Sequence, residues 1–133
     1  MPVFLSREEL EKYGEELEQY RGELFKREFL PHVKAFPGVR QLFQRIRRDD
    51  KRIALASSAK EDELTNYKTI AGIADLIEAE TSSDDAERSK PYPDIFQAAF
   101  MQLGAINPDN VLVVGDTAYD TQAAGKINLR TIG

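Results

Sequence analysis

Residues 111–120 read VLVVGDTAYD, four aliphatic side chains in succession followed by Gly-Asp-Thr and, shortly after, a second aspartate. A short run that is apolar at every position, rather than at every other one, is what a strand covered on both faces demands. Such strands belong to mostly parallel sheets with helices on either side, and ligands in those sheets bind beyond the carboxyl ends of the strands. Gly115 permits a tight turn at the end of the run, which delivers Asp116 to that place. Asp120 lies one helical turn further on, so both carboxylates can face one point. Two converging carboxylates suit a hard cation such as Mg2+, which takes oxygen ligands and keeps several of its waters. The plainer reading has Asp116 or Thr117 capping the helix that follows.

The rest of the chain alternates in the way this strand requires. RIALAS (52–57) reads as a short buried strand, and Ser58 with Glu61 has the capping-box spacing that opens a helix through about Tyr67. ADLIEAE (74–80) is a candidate second strand, the polar SSDDAERS a loop, and Pro93 suits the first turn of a helix running through Leu103. TQAAGK reads as helix and NLRTIG as a final strand. The fold class is therefore α/β, a three-layer sandwich about a mostly parallel sheet. A helical segment, residues 1–35, precedes this core, residues 36–133. Ser6 and Glu9 form a second capping box, and Leu10, Tyr13, Leu17, Tyr20 and Leu24 share one helical face. That stripe is expected to pack on its own domain, with a dimer seam as the sharper alternative. Gly14 and Gly22 weaken this helix. A break near Pro31 and a turn at Pro37-Gly38 lead to a helix whose face carries Leu42, Phe43 and Ile46.

Bulk properties exclude several classes. A chain of 133 residues builds about one core. The net charge of −5 argues against binding nucleic acid, whose phosphates need a basic surface. No apolar run is long enough to span a bilayer, and MPVFLSREEL lacks the basic start and long apolar middle of a secretory signal. Without cysteine there is neither a disulfide framework nor thiol chemistry. A cytoplasmic protein is expected.

Three further positions are candidates for chemistry. Ser57 and Ser58 follow the first strand of the core, and their everyday use is as helix caps. Lys90, in SKPYPD, would ordinarily be a solvated lysine, but Pro91 restricts it to an extended conformation. An ammonium fixed near paired carboxylates can hold an anionic nucleophile and a phosphoryl group together. Asp94 reads as an acidic residue favouring a helix N-terminus, and His32, the only histidine, as structural or exposed.

IALASS, SKPYPDIF and VLVVGDTAYD stand in the order found in the haloacid dehalogenase-like hydrolases, mostly Mg2+-dependent phosphatases, and the chain resembles that family. FPGV before a helix is similar to the family's re-entry into the core from a helical cap, so that residues 1–35 resemble a remnant of the cap. The similarity runs from about Tyr20 to Gly133, and the phosphoglycolate phosphatase and β-phosphoglucomutase-like branch is nearest. The resemblance assigns Ser57, with Ser58 beside it, to phosphate binding and Lys90 to steadying nucleophile and phosphate. It assigns Asp116 to Mg2+ coordination with Asp120 in support, and implies a small phosphorylated metabolite as substrate.

Family members carry a strand ending in Asp-x-Asp, whose first aspartate attacks phosphorus and whose second acts as general acid and base. Asp-x-Asp occurs nowhere in this sequence; Asp49-Asp50 and Asp84-Asp85 are adjacent pairs. The chain thus resembles a member truncated at both ends, more severely at the front, and little or no activity is expected of it alone. The missing strand would lie between the one ending at Ser57 and the one ending at Asp116. That gap is filled by Val3–Leu5, by closure of the sheet, or by a segment of a second copy in a homodimer or strand-swapped oligomer. The alternative is a non-catalytic fold kept as a binding or oligomerisation module. A receiver-type phosphorylation domain is disfavoured, because Ser57 stands where its acceptor aspartate is wanted.

Overall fold

The computed structural model describes residues 6–104 and 106–133. The chain divides into two compact units, Met1–Lys34 and Ala35–Gly133.

The first unit is helical. α1, Arg7–Leu24, begins where the capping box predicts it: Glu9 N–H donates to Ser6 Oγ and Ser6 N–H to Glu9 Oε2, at 3.3 and 2.8 Å. The helix widens into a π-turn over Phe25–Phe29 and ends in a 3-10 turn, Leu30–His32, which contains Pro31. A proline offers no N–H to continue the ladder, so the break falls there. The Leu10–Leu24 stripe is mixed in exposure. No residue of α1 is buried, and Tyr20 is 62% exposed. Leu10 and Leu24 are half-buried, whereas Tyr13, Leu17 and Tyr20 are exposed.

The second unit carries the α/β core. Gly38, at a left-handed φ of 84°, makes the turn into α2, Val39–Arg48. β1, Ala54–Ala56, and β2, Ala79–Thr81, are parallel neighbours in the register Ala54↔Ala79 and Ala56↔Thr81. They are joined through α3, Glu61–Ala71. The expected strand over 74–80 is displaced towards its end. Ala74–Leu76 form a 3-10 turn instead, and the Arg40 guanidinium donates to both oxygens of Asp75 at 2.7 and 2.8 Å. α4, Asp94–Gln102, packs on both β1 and β2. β3, Leu112–Val114, continues through α5, Ala118–Gly125, to β4, Arg130–Ile132, its parallel partner.

One apolar cluster ties these pieces together: Ile95 and Phe96 of α4, Val113 of β3, Ala123 and Ala124 of α5, and Leu129. Ala56, at the end of β1, rests against it. Two expectations fail at this point. Only one face of β3 is covered, since Val113 is buried while Leu112 and Val114 are 51% and 76% exposed. The strands also do not close into one sheet. Among the described residues β1 pairs with β2 and β3 with β4, as two separate two-stranded sheets. Closure by direct pairing of β1 with β3 is therefore not what the chain does, and Val3–Leu5 lie outside the described residues. Among the described residues no helix is long and apolar enough to cross a membrane.

Candidate functional site

The carboxyl end of β3 is built around Gly115. Its N–H donates to Ile132 O at 3.0 Å, extending the ladder one step beyond the strand. A Cβ here would stand 2.5 Å from Asp120 Cβ and 2.8 Å from Asp120 Cγ, so only glycine allows the α5 aspartate to fold back so closely. Thr117 then caps α5. Asp120 N–H donates to Thr117 Oγ1 at 3.3 Å, and Thr117 N–H and hydroxyl donate to Asp120 Oδ2 at 3.1 and 2.6 Å. The capping reading of this turn holds for Thr117, with Asp120 as its reciprocal partner.

The other oxygen of Asp120 is taken as well. Lys90 Nζ donates to Asp120 Oδ1 at 2.6 Å, with the two side chains 21% and 7% exposed. Burial pushes the Asp120 carboxyl up, but the hydrogen bonds from Lys90 and Thr117 and the Lys90 charge outweigh it, and the net direction is below the usual carboxylate value. Asp120 is thus held ionised by a charge-assisted bond in a sheltered setting. Asp116, by contrast, is exposed and makes no hydrogen bond or ion pair among the described residues.

Ser57 stands one residue beyond β1, half-buried. It does not cap α3. Its Oγ accepts from Ala59 N–H at 3.1 Å in a local turn, and its N–H donates to Thr81 O at 3.0 Å. The Ser58–Glu61 capping box does not form either: Lys60 occupies the cap position and Glu61 N–H goes to Asp84 Oδ2 at 3.2 Å. Ser58 is exposed. The hydroxyl hydrogen of Ser57 remains free among the described residues to meet an acceptor beyond the strand end. Asp94 pairs with Arg88 and sits in the first turn of α4, and His32 is exposed, as read from the sequence.

The structure therefore brings Lys90 and Asp120 into contact, with Asp116 in the same turn, and leaves Ser57 at the end of the other sheet. The donors do not make a Mg2+ site by themselves. Asp116 offers an open carboxylate, both oxygens of Asp120 are engaged, and among the described residues no group of three acidic or histidine side chains could hold a metal ion. Sequence reasoning missed Lys126, which reaches Pro91 O at 2.8 Å. No local pattern announces a bond across that separation. It also missed the acidic turn after β2, where Ser82, Asp84, Asp85, Glu61 and Glu80 line a cavity of about 180 Å³. A Ser-x-x-Asp spacing at Ser82 was legible as a cap, and the cluster's charge makes it unsuited to an anion.

A profile of the family described as haloacid dehalogenase-like hydrolase matches residues 4–133. The chain is 27% identical over 99 residues to the pyrophosphatase PpaX of Oceanobacillus iheyensis, covering 74% of this chain and 46% of that protein. It is 26% identical over 100 residues to (S)-2-haloacid dehalogenase 4A of Burkholderia cepacia, covering 75% and 43%. Among solved structures, β-phosphoglucomutase (pgmB) of Clostridium difficile superposes with a TM-score of 0.74 at 23% identity, over 97% of this chain and 56% of that one. That likeness concerns the fold. The chain spans a little under half the length of these two curated relatives.

Proposed function

The chain belongs to the haloacid dehalogenase-like hydrolase family, and from that premise we propose that it forms part of a phosphohydrolase for small phosphorylated metabolites and has little or no activity by itself. The Lys90–Asp120 contact beyond β3 carries the reading. Family membership alone does not choose the reaction, because one relative is named as a pyrophosphatase and another as a haloacid dehalogenase. A fixed ammonium at one strand end and a serine hydroxyl at another favour a phosphoryl group, whose several oxygens need donors from different directions.

On this reading Lys90 steadies the oxygens that gather charge, and Ser57 donates its hydroxyl to phosphate. Asp116 would be one residue to hold Mg2+, a cation that would offset phosphate charge, although the residues present do not complete its site. Asp120 keeps Lys90 in place and ionised. No residue is left to attack phosphorus. The sequence has no Asp-x-Asp, and forfeiting a covalent step costs many orders of magnitude in rate. The reading puts the absent carboxylates on a further parallel strand beside β1 and β3, each of which pairs with only one strand among the described residues. The test is Mg2+-dependent hydrolysis of p-nitrophenyl phosphate by this chain. The expected rate is that of buffer; turnover abolished by Asp116→Asn would overturn the claim of inactivity.

A second reading, a non-catalytic module for binding or self-association, is supported by the open apolar face of Leu112, Val114 and Ile132. It requires a mass in solution that rises with concentration.

A further inference from the structure

Lys90 owes its place to a backbone that has little of its own to hold it. Pro91 has no N–H, so its carbonyl is the one backbone hydrogen-bonding group it offers. Lys126, just beyond the end of α5, takes that carbonyl at 2.8 Å. The same ammonium lies 5.1 Å from the centroid of the Tyr92 ring, and the Arg88 guanidinium lies 4.4 Å from it. Arg88 is fixed in turn by Asp94, whose oxygens accept from Arg88 Nη2 at 2.9 Å, Nε at 3.1 Å and backbone N–H at 3.2 Å. Within the loop Tyr92 N–H donates to Ser89 O at 3.1 Å. Two cations from different elements thus engage one ring beside Lys90, and one of them also grips the adjoining carbonyl.

We propose that Lys126, through the Pro91 carbonyl and the Tyr92 ring and together with Arg88, is a positioning residue that holds Lys90 on Asp120. The idea rests on the reading of Lys90 as the group that steadies phosphate. A lysine head on a four-carbon stem reaches many places, and a fixed contact at 2.6 Å requires its backbone to be fixed first. Lys126 couples that backbone to α5, the helix that carries Asp120, so donor and acceptor are referred to one element. Each contact is partly exposed and modest, so losing the clamp loosens Lys90 without unfolding the core.

The measurement is acylation of individual lysines in the full chain with an activated acetate ester, read by mass spectrometry. Lys68, which pairs with Glu80 at 2.5 Å and is 13% exposed, is the internal reference. In Lys126→Met and in Tyr92→Leu the ratio of Lys90 to Lys68 labelling is expected to rise by roughly three- to tenfold, the loss of one or two such contacts. Tyr92→Phe keeps the ring and Lys126→Arg keeps a cation, and both are expected to retain the original ratio. An unchanged ratio in Lys126→Met, or Lys90 and Lys68 rising together, overturns the proposal, the latter by showing only general loosening. No ligand enters this measurement, so failure to bind phosphate would refute the proposed function and leave the clamp untouched.

Discussion

Gly115→Ala tests how tightly the corner beyond β3 is drawn. The added methyl carbon would stand 2.5, 2.8 and 3.0 Å from Cβ, Cγ and Oδ2 of Asp120. These are not mobile atoms. Asp120 is 5% exposed and is held by Thr117 through three hydrogen bonds and by Lys90 through a fourth. Relief requires either that the first turn of α5 moves as a body or that Asp120 swings away and forfeits cap and ion pair. Overpacking a rigid site costs about 1–3 kcal/mol, and loss of a capping box about 1 kcal/mol. Parting a sheltered ion pair adds more where the aspartate stays buried. A destabilisation of about 2–4 kcal/mol is expected, read as a lowered urea midpoint with little change in slope. Gly125→Ala is the control. Nothing stands within 4 Å of a Cβ there, its φ is not left-handed, and it is the last residue of α5. That change is expected to stabilise by about 0.5 kcal/mol. Unfolding of Gly115→Ala within about 0.5 kcal/mol of the original chain would refute the steric argument, since that is the range of an indifferent substitution.

The Asp120 carboxyl lies below its ordinary value in the folded chain, so it binds fewer protons than when unfolded. Its contribution to stability is therefore fully present above about pH 4, the ordinary carboxylate value, and is lost as pH falls through the folded value. Glu9, Asp75 and Asp94 are lowered in the same direction by Ser6, Arg40 and Arg88. Asp120→Asn is expected to lower stability at pH 7 and to flatten the acid limb of the unfolding profile; an unaltered limb in that variant would assign it wholly to the other three. If the open face of β3 mediates self-association, Val114→Lys is expected to abolish any rise of sedimentation mass with concentration while leaving the unfolding midpoint in place.

The parts of the fold that were legible are those whose cause is local. Pro93 and Asp94 announce α4, the VLVV run announces β3, and Ser6 with Glu9 announces α1. Identical spacing at Ser58 and Glu61 announced a cap that does not exist, because Asp84, from the turn after β2, meets Glu61 N–H first. β2 begins later than its apolar pattern suggests: Ala74–Leu76 form a 3-10 turn, in which Asp75 pairs with Arg40 from well back along the chain. The four aliphatic residues before Gly115 predicted burial on both faces, yet Leu112 and Val114 are open. A pattern of side chains states what a strand tolerates, not what lies against it. At the site, the spacing placed Asp116 and Asp120 in one turn but could not divide their labour. Only the fold reveals that Asp120 is consumed by Thr117 and Lys90 and that Asp116 is not.

That division bears on what the corner can bind. Lys90 and Asp120 cancel, so Asp116 is left as an open negative charge. A phosphate dianion about 4 Å from it is repelled by about 2 kcal/mol even in a medium as polar as water. One hydroxyl donor would return only about 1 kcal/mol. A divalent cation would offset Asp116 and favour an anion at this corner. Such a cation in turn needs more oxygen ligands than Asp116 supplies. The electrostatics thus call for a further carboxylate, and among the described residues β1 and β3 each pair with a single strand, in separate sheets. On the proposed reading one parallel strand ending in aspartate answers both needs, joining the half-sheets and completing the ligands that Asp116 begins.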